Sequence, residues 1–218
     1  MSVQDKINGS KCIINLATGR YIVGQDRLRT SLTSVGYTGE FLGWTAENQI
    51  GAPLHKDNPY AFKIFGFREA ERQGYRFIIW LDASVWAIKD VQPIFDHIEQ
   101  HGYLMQYSGH NCGDWANDNC LNYFGLDRED AKKMNMYGNA GFLGLDLWDT
   151  RATTFLNGWE NSMKAGAFKG EWSNHRHDMV CGSIIANKLN MDYQGAEEWL
   201  NYGTEPLNDE VYLLAQGI

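Results

Sequence analysis

The residue whose setting most invites a chemical role is Asp82. It follows Phe77-Ile-Ile-Trp-Leu81, five apolar residues in a row, and precedes Ala83 and Ser84. An apolar run of that length is too short for a full helix and reads as a strand buried on both faces. In open α/β sheets, ligands bind beyond the carboxyl ends of such strands. A carboxylate at that place offers hard oxygen to Mg²⁺ or Mn²⁺, ions that bridge diphosphate oxygens and offset charge on a departing group. The alternative is a local one, in which Asp82 closes a turn with help from Ser84.

Two further segments concentrate useful groups. His175-Arg176-His177-Asp178 opens an apolar-faced segment, 178–189, that reads as a helix. Anions are favoured at a helix start, and Asp178 could equally be an N-cap worth ~1 kcal/mol. Tyr137-Gly-Asn-Ala-Gly-Phe142 leads into a strand, and its glycines either admit a ligand close to the backbone or form a simple tight turn. Glu197 and Glu198, before Trp199, read as a solvated face.

The elements that must hold these residues alternate in kind. The run 12–17 reads as a buried strand, 25–33 as a helix, 41–44 as a short strand, and 59–75 as a helix opened by Pro59 and stopped by Gly74. After the Phe77–Leu81 strand come a helix over 91–100 closed by Gly102 and a strand over 103–107. A strand over 140–147 and a helix over 150–165 follow the middle section. Such alternation predicts a mainly parallel sheet with helices on both faces, in a single domain spanning 1–218. The section 108–125, SGHNCGDWANDNCLNYFG, breaks the rhythm and reads as a long binding loop. The tail 207–218 carries no closing motif, which leaves room for a longer parent chain.

Composition narrows the function classes. The chain has 218 residues, 44% hydrophobic and 21% charged, as a folded domain should. A net charge of −8 argues against a general binder of nucleic acid or of an anionic membrane. No apolar run is long enough for a membrane helix and the first ten residues do not read as a signal peptide, so a soluble cytoplasmic protein is expected. Cys12, Cys112, Cys120 and Cys181 form no CxxC pair and read as free thiols. His110, Cys112 and Cys120 could be drawn as zinc ligands, but their spacing matches no common zinc pattern. Eight tryptophans and many amides would suit a flat polar ligand such as a sugar.

The pattern FIIWLDASVW, with PYAFK one unit earlier, resembles the GT-A glycosyltransferases, and among them the small chlorella-virus-type domain that decorates capsid glycans. In that fold, which is Rossmann-like, a DxD-type motif ends the equivalent strand. The resemblance implies a nucleotide-sugar donor, with a UDP-sugar expected, a glycan or glycoprotein acceptor, and Mn²⁺ or Mg²⁺. Asp82 matches the first motif carboxylate and Ser84 stands where the second acid usually lies, so the metal shell needs completing from elsewhere. By the same resemblance, the turn Ala17-Thr18-Gly19 lies beside base and ribose, and Ala83, Asn139 and Ala140 border the donor. Arg27 and Lys63 are candidates for the diphosphate or base, with solvation at the core edge as the alternative for each. Asp178 matches an acid that contacts the donor sugar or acts in catalysis, and His175 or His177 a late metal, phosphate or acceptor contact. Asp114, Trp115 and Asn117 form the expected acceptor surface. Retention of configuration is expected.

Rival classes remain distinguishable. A haloacid-dehalogenase-type phosphatase also ends an apolar strand in Asp, but its motif opens the fold, and here two strand–helix units come first. A nucleotidyltransferase needs more than Thr18-Gly19-Arg20 after its first strand, and a non-catalytic sugar-binding module needs no strand-end carboxylate. The purified chain should therefore leave a generic aryl phosphate unhydrolysed. Turnover in a chromogenic phosphatase assay would support the first rival instead.

Overall fold

The alternation of strand and helix resolves into ten strands and eight α-helices among the described residues, 11–138, 141–191 and 199–217, of a computed structural model. In chain order they are β1 Lys11–Leu16, α1 Ile22–Ser34, β2 Glu40–Trp44, α2 Phe62–Arg72, β3 Phe77–Leu81, β4 Val85–Ala87, α3 Gln92–His101, β5 Tyr103–Met105 and β6 Tyr107–Asn111. There follow α4 Cys112–Trp115, α5 Asp118–Phe124, α6 Arg128–Lys132, β7 Asn135–Tyr137, β8 Phe142–Asp146, α7 Thr150–Lys164, α8 His177–Lys188, β9 Leu200–Tyr202 and β10 Leu213–Ala215.

The central sheet has the order β2-β1-β3-β8-β5. β1 pairs in parallel with both β2 and β3, while β8 runs antiparallel to β3 and to β5. Four of its five strands thus share one direction, the mainly parallel sheet that the alternation predicts. Side chains on β3 alternate between two cores. Ile78 and Trp80 pack with Ile64 and Phe67 of α2 and with α7 and α8, whereas Phe77, Ile79 and Leu81 pack with Leu28 of α1 and Phe95 and Ile98 of α3. The same parity directs Asp82 to the Trp80 side, and Trp80 Nε1 donates to Asp82 Oδ1 at 2.6 Å.

The strand ends are tied by buried amides. Asn15, in an otherwise apolar β1, is fully buried, and its Nδ2 donates to the Leu81 carbonyl at 2.6 Å. Gln25 Nε2 donates to Asn15 Oδ1 at 2.7 Å and to the Trp44 carbonyl at 3.0 Å. One side-chain network therefore joins the carboxyl ends of β1, β2 and β3, where loops must splay to make a site.

Several expectations need correction. The stretch 108–125 is mostly structured: β6 occupies its start, and α4 and α5 follow, each opened by an asparagine cap. Asn111 accepts from Asp114 N–H and Asn117 from Cys120 N–H, so amides that gave the stretch its loop-like composition are spent on helix starts. The strand over 103–107 is two strands broken at Gln106, whose amide bonds both the N–H and the carbonyl of Leu200. The helix expected from Pro59 starts at Phe62. The featureless tail contributes β10, which pairs antiparallel with β4 and parallel with β9. Glu197 and Glu198 lie outside the described residues.

Asn15→Leu removes the side-chain donor to the Leu81 carbonyl and one of the two acceptors of the Gln25 amide. Stability should fall by about 1–3 kcal/mol through their lost hydrogen bonds, read as a lowered urea midpoint with unchanged slope.

Candidate functional site

The carboxyl ends of the three parallel strands enclose a cavity of ≈ 350 Å³. The end of β1 supplies Leu16, Ala17, Thr18 and Tyr21; the segment after β2 supplies Glu47, His55 and Tyr60; and the end of β3 supplies Asp82, Ala83 and Ser84. Of the residues expected from sequence, Ala17, Thr18, Asp82, Ala83 and Ser84 thus meet in one cleft. Gly19 starts the following 3₁₀ turn at φ +55°. Arg27 does not line the cleft; its Nη2 donates to the Ser84 carbonyl at 2.7 Å and its guanidinium lies 4.4 Å from the Trp86 ring.

Behind Asp82 lies a buried charge cluster. Lys63 is 1% exposed, yet its Nζ stands 3.0 Å from Asp178 Oδ2 and 3.6 Å from Asp82 Oδ1. Burial pulls the Lys63 pKa down, but Asp178 and then Asp82 outweigh it, so the ammonium is held above its ordinary value. Asp178 is fully buried, and burial raises its pKa more than Lys63 lowers it. Among the described residues Asp178 Oδ1 has no hydrogen-bond partner. The two helix starts are unequal partners: the first turn of α8 favours the Asp178 carboxylate, whereas the first turn of α2 opposes the Lys63 cation.

Asp178 does not cap its helix. Arg176 holds the N-cap position without a side-chain bond, and Asp178 lies inside the first turn facing Lys63. Tyr60 and His177 hold positive φ, +60° and +38°, and their rings are 5.5 Å apart. Such backbone is costly for side-chain-bearing residues and persists where its surroundings enforce it. Tyr60 lies between the cleft, which it lines, and Lys63, whose Nζ is 5.2 Å from its ring centroid.

The remaining expected residues sit elsewhere. His177 Nδ1 is 2.8 Å from the Phe168 carbonyl, and His175 Nε2 is 2.8 Å from that of Ala167. Burial lowers the His175 pKa to about 4. Asp114 accepts from Asn111 Nδ2 and Asn117 donates to the Lys169 carbonyl, while Trp115 stacks on the Arg176 guanidinium at 3.9 Å. None of the three lines the cleft. Asn139 and Ala140 lie outside the described residues. Sequence reading missed Tyr21, Glu47, His55 and Tyr60. The rule that found Asp82 could have found Glu47 and His55, since both follow a parallel strand's carboxyl end.

A second groove, of ≈ 550 Å³, is lined by Gln106–His110, Gly138, Phe142, Met179, Leu200–Tyr202 and Leu207. It approaches the first at Gly141, where a β-carbon would lie 3.0 Å from Tyr202 Oη and 3.9 Å from Asp82 Oδ2. The antiparallel course of β8 causes this: Phe142, at its start, pairs with Leu81, and Asp82 N–H donates to the Gly141 carbonyl.

The fold is shared with known enzymes. Mouse xyloside xylosyltransferase 1, in its apo form, matches over 94% of this chain and 97% of its own, with a TM-score of 0.57 and 10% identity. The apo structure of the bifunctional glycosyltransferase WbbM matches over 89% of this chain and 40% of its own, with a TM-score of 0.52 and 10% identity. At this identity the likeness is one of fold. No family model and no curated protein matches the sequence. Among the described residues no helix is long and apolar enough to cross a membrane.

Lys63→Met strands Asp178 as a buried acid and should cost about 3–5 kcal/mol at neutral pH. A carboxyl whose folded pKa is raised favours folding below its ordinary value near 4 and loses that contribution as pH rises through the raised one. Removing Lys63 raises it further, so the deficit against wild type should shrink from pH 7 to pH 4 in urea unfolding. Adding Asp178→Leu should restore most of the loss. An equal deficit at both pH values would show that Asp178 is not the group exposed by the change.

Proposed function

We propose that this chain is a GT-A-type glycosyltransferase that moves a sugar from a UDP-sugar donor to a glycan acceptor, with metal assistance and retention of configuration. The observation that carries the reading is the cleft beyond β1, β2 and β3, with Asp82 in its lining and the Lys63–Asp178 pair behind. The fold shared with two glycosyltransferases supports glycosyl transfer as the general activity. The narrower chlorella-virus type rests on the sequence resemblance alone.

In this reading Ala17, Thr18 and Tyr21 hold the base and ribose. Trp80 and Lys63 engage Asp82 Oδ1, which leaves Oδ2 for the ligand side. Asp82 Oδ2 and the Ser84 hydroxyl are hard oxygens, a donor set that suits Mg²⁺ or Mn²⁺ once donor phosphates supply further oxygens. Such an ion supplies positive charge that offsets the leaving diphosphate. Lys63 adds a fixed cation nearby and anchors Asp178, whose Oδ1, without a partner among the described residues, is the acceptor for a donor-sugar hydroxyl. Asp178 and Asp82 are the catalytic groups of the proposal. The second groove serves as acceptor surface better than Asp114 and Asn117, whose side chains are spent on hydrogen bonds within the fold, because Tyr202 brings it to Asp82.

Titration calorimetry with UDP should show binding that strengthens when Mn²⁺ is present. Asp82→Ala should weaken the metal-dependent binding roughly 100-fold, about 2.7 kcal/mol, with the circular dichroism spectrum retained. Binding that ignores Mn²⁺, or that is undiminished in the variant, would overturn the assignment of the donor to this cleft.

A further inference from the structure

Three side chains able to hold a soft metal meet in the core where α5 and the start of α8 converge. Cys120 of α5, Cys181 of α8 and His175, just before α8, are each 0% exposed. The two Sγ atoms are 3.5 Å apart, and with a ring nitrogen of His175 all three ligand atoms lie within 4.8 Å of one another. Sulfurs bound ~2.3 Å from a tetrahedral zinc ion stand roughly 3.8 Å apart. The thiol pair is therefore already near the spacing of a zinc shell, without a disulfide.

The imidazole is prepared in the way metal-binding histidines are. Its Nε2 faces the Ala167 carbonyl at 2.8 Å, an acceptor only, so that nitrogen carries the proton and Nδ1 holds the lone pair. The contact that Nδ1 receives, from Asn117 N–H at 3.4 Å, is long. Charge also balances: two thiolates and a neutral imidazole around a dication sum to zero, which limits the cost of full burial.

We propose that Cys120, His175 and Cys181 bind one Zn²⁺ ion, which staples the start of α8 to α5. The ion would be structural, since its site is closed to solvent and uses none of the cleft residues. Its consequence for the chain is positional: α8 carries Asp178, three residues beyond the ligand His175.

The test is elemental analysis of the full chain purified from zinc-supplemented medium and dialysed. About one equivalent of zinc is expected. After removal by a strong chelator, added Co²⁺ should give thiolate-to-cobalt charge-transfer absorption. Asp82→Ala should keep the full equivalent, which separates this site from the cleft, and Cys120→Ala with Cys181→Ala should hold less than a tenth of it. The proposal fails if wild-type protein carries less than a tenth of an equivalent and gives no cobalt absorption. It fails equally if mass mapping of the folded wild type finds Cys120 and Cys181 joined as a disulfide. Both outcomes are read on wild-type protein, so a poorly folding variant does not blunt the test.

Discussion

A lysine ammonium buried against two carboxylates governs how the rest of this molecule is arranged. Taking such a cation out of water costs several kcal/mol, and it stays charged only where partners and geometry offset that cost. Here the partners come from different elements: Asp82 from the end of β3 and Asp178 from the first turn of α8, both meeting Lys63 in the first turn of α2. The cluster thereby fixes the relative placement of a central strand and two helix starts. Positive φ at Tyr60 and His177, two residues before α2 and at the first residue of α8, is the backbone strain that accompanies this convergence.

The sheet makes the cluster possible. Period-two alternation on β3 sends Trp80 and Asp82 to the face covered by α2 and α8, and Asn15 with Gln25 holds the three strand ends together. Reversal of β8 brings Gly141 to Asp82, and the small sheet of β4, β10 and β9 delivers Tyr202 to the same point. A ligand in the cleft and a second ligand in the neighbouring groove would therefore approach one another at a single carboxylate. That arrangement suits a transfer between two bound molecules.

Where periodicity was strong, the sequence was legible. The apolar run ending in Asp82 is β3 to the residue, and the helices over 92–101 and 150–164 lie close to their predicted spans. It was least legible where short polar residues serve two purposes. Asn111 and Asn117 suggest a sugar-binding loop by type but act as caps, a distinction that depends on backbone conformation. Strands of three residues, such as β9 and β10, carry too few positions for a period to show. Glu47 opens a short 3₁₀ turn, and His55 and Tyr60 stand in the irregular segment after it, which the sequence marks with Gly51, Pro53 and Pro59.

What the sequence determined by itself is local: an apolar strand, the acid that ends it, the turn after β1 and the helical faces that cover the sheet. Those features follow from hydrophobic periodicity and from turn residues acting over a few positions. The tertiary structure alone decided that Lys63 faces Asp178 rather than solvent, that β8 runs backwards, and that Cys120, His175 and Cys181 share one pocket of the core. Each of these joins residues far apart in the chain. Their energies depend on burial and on distances between groups, which the order of strands sets and which no short stretch of sequence encodes.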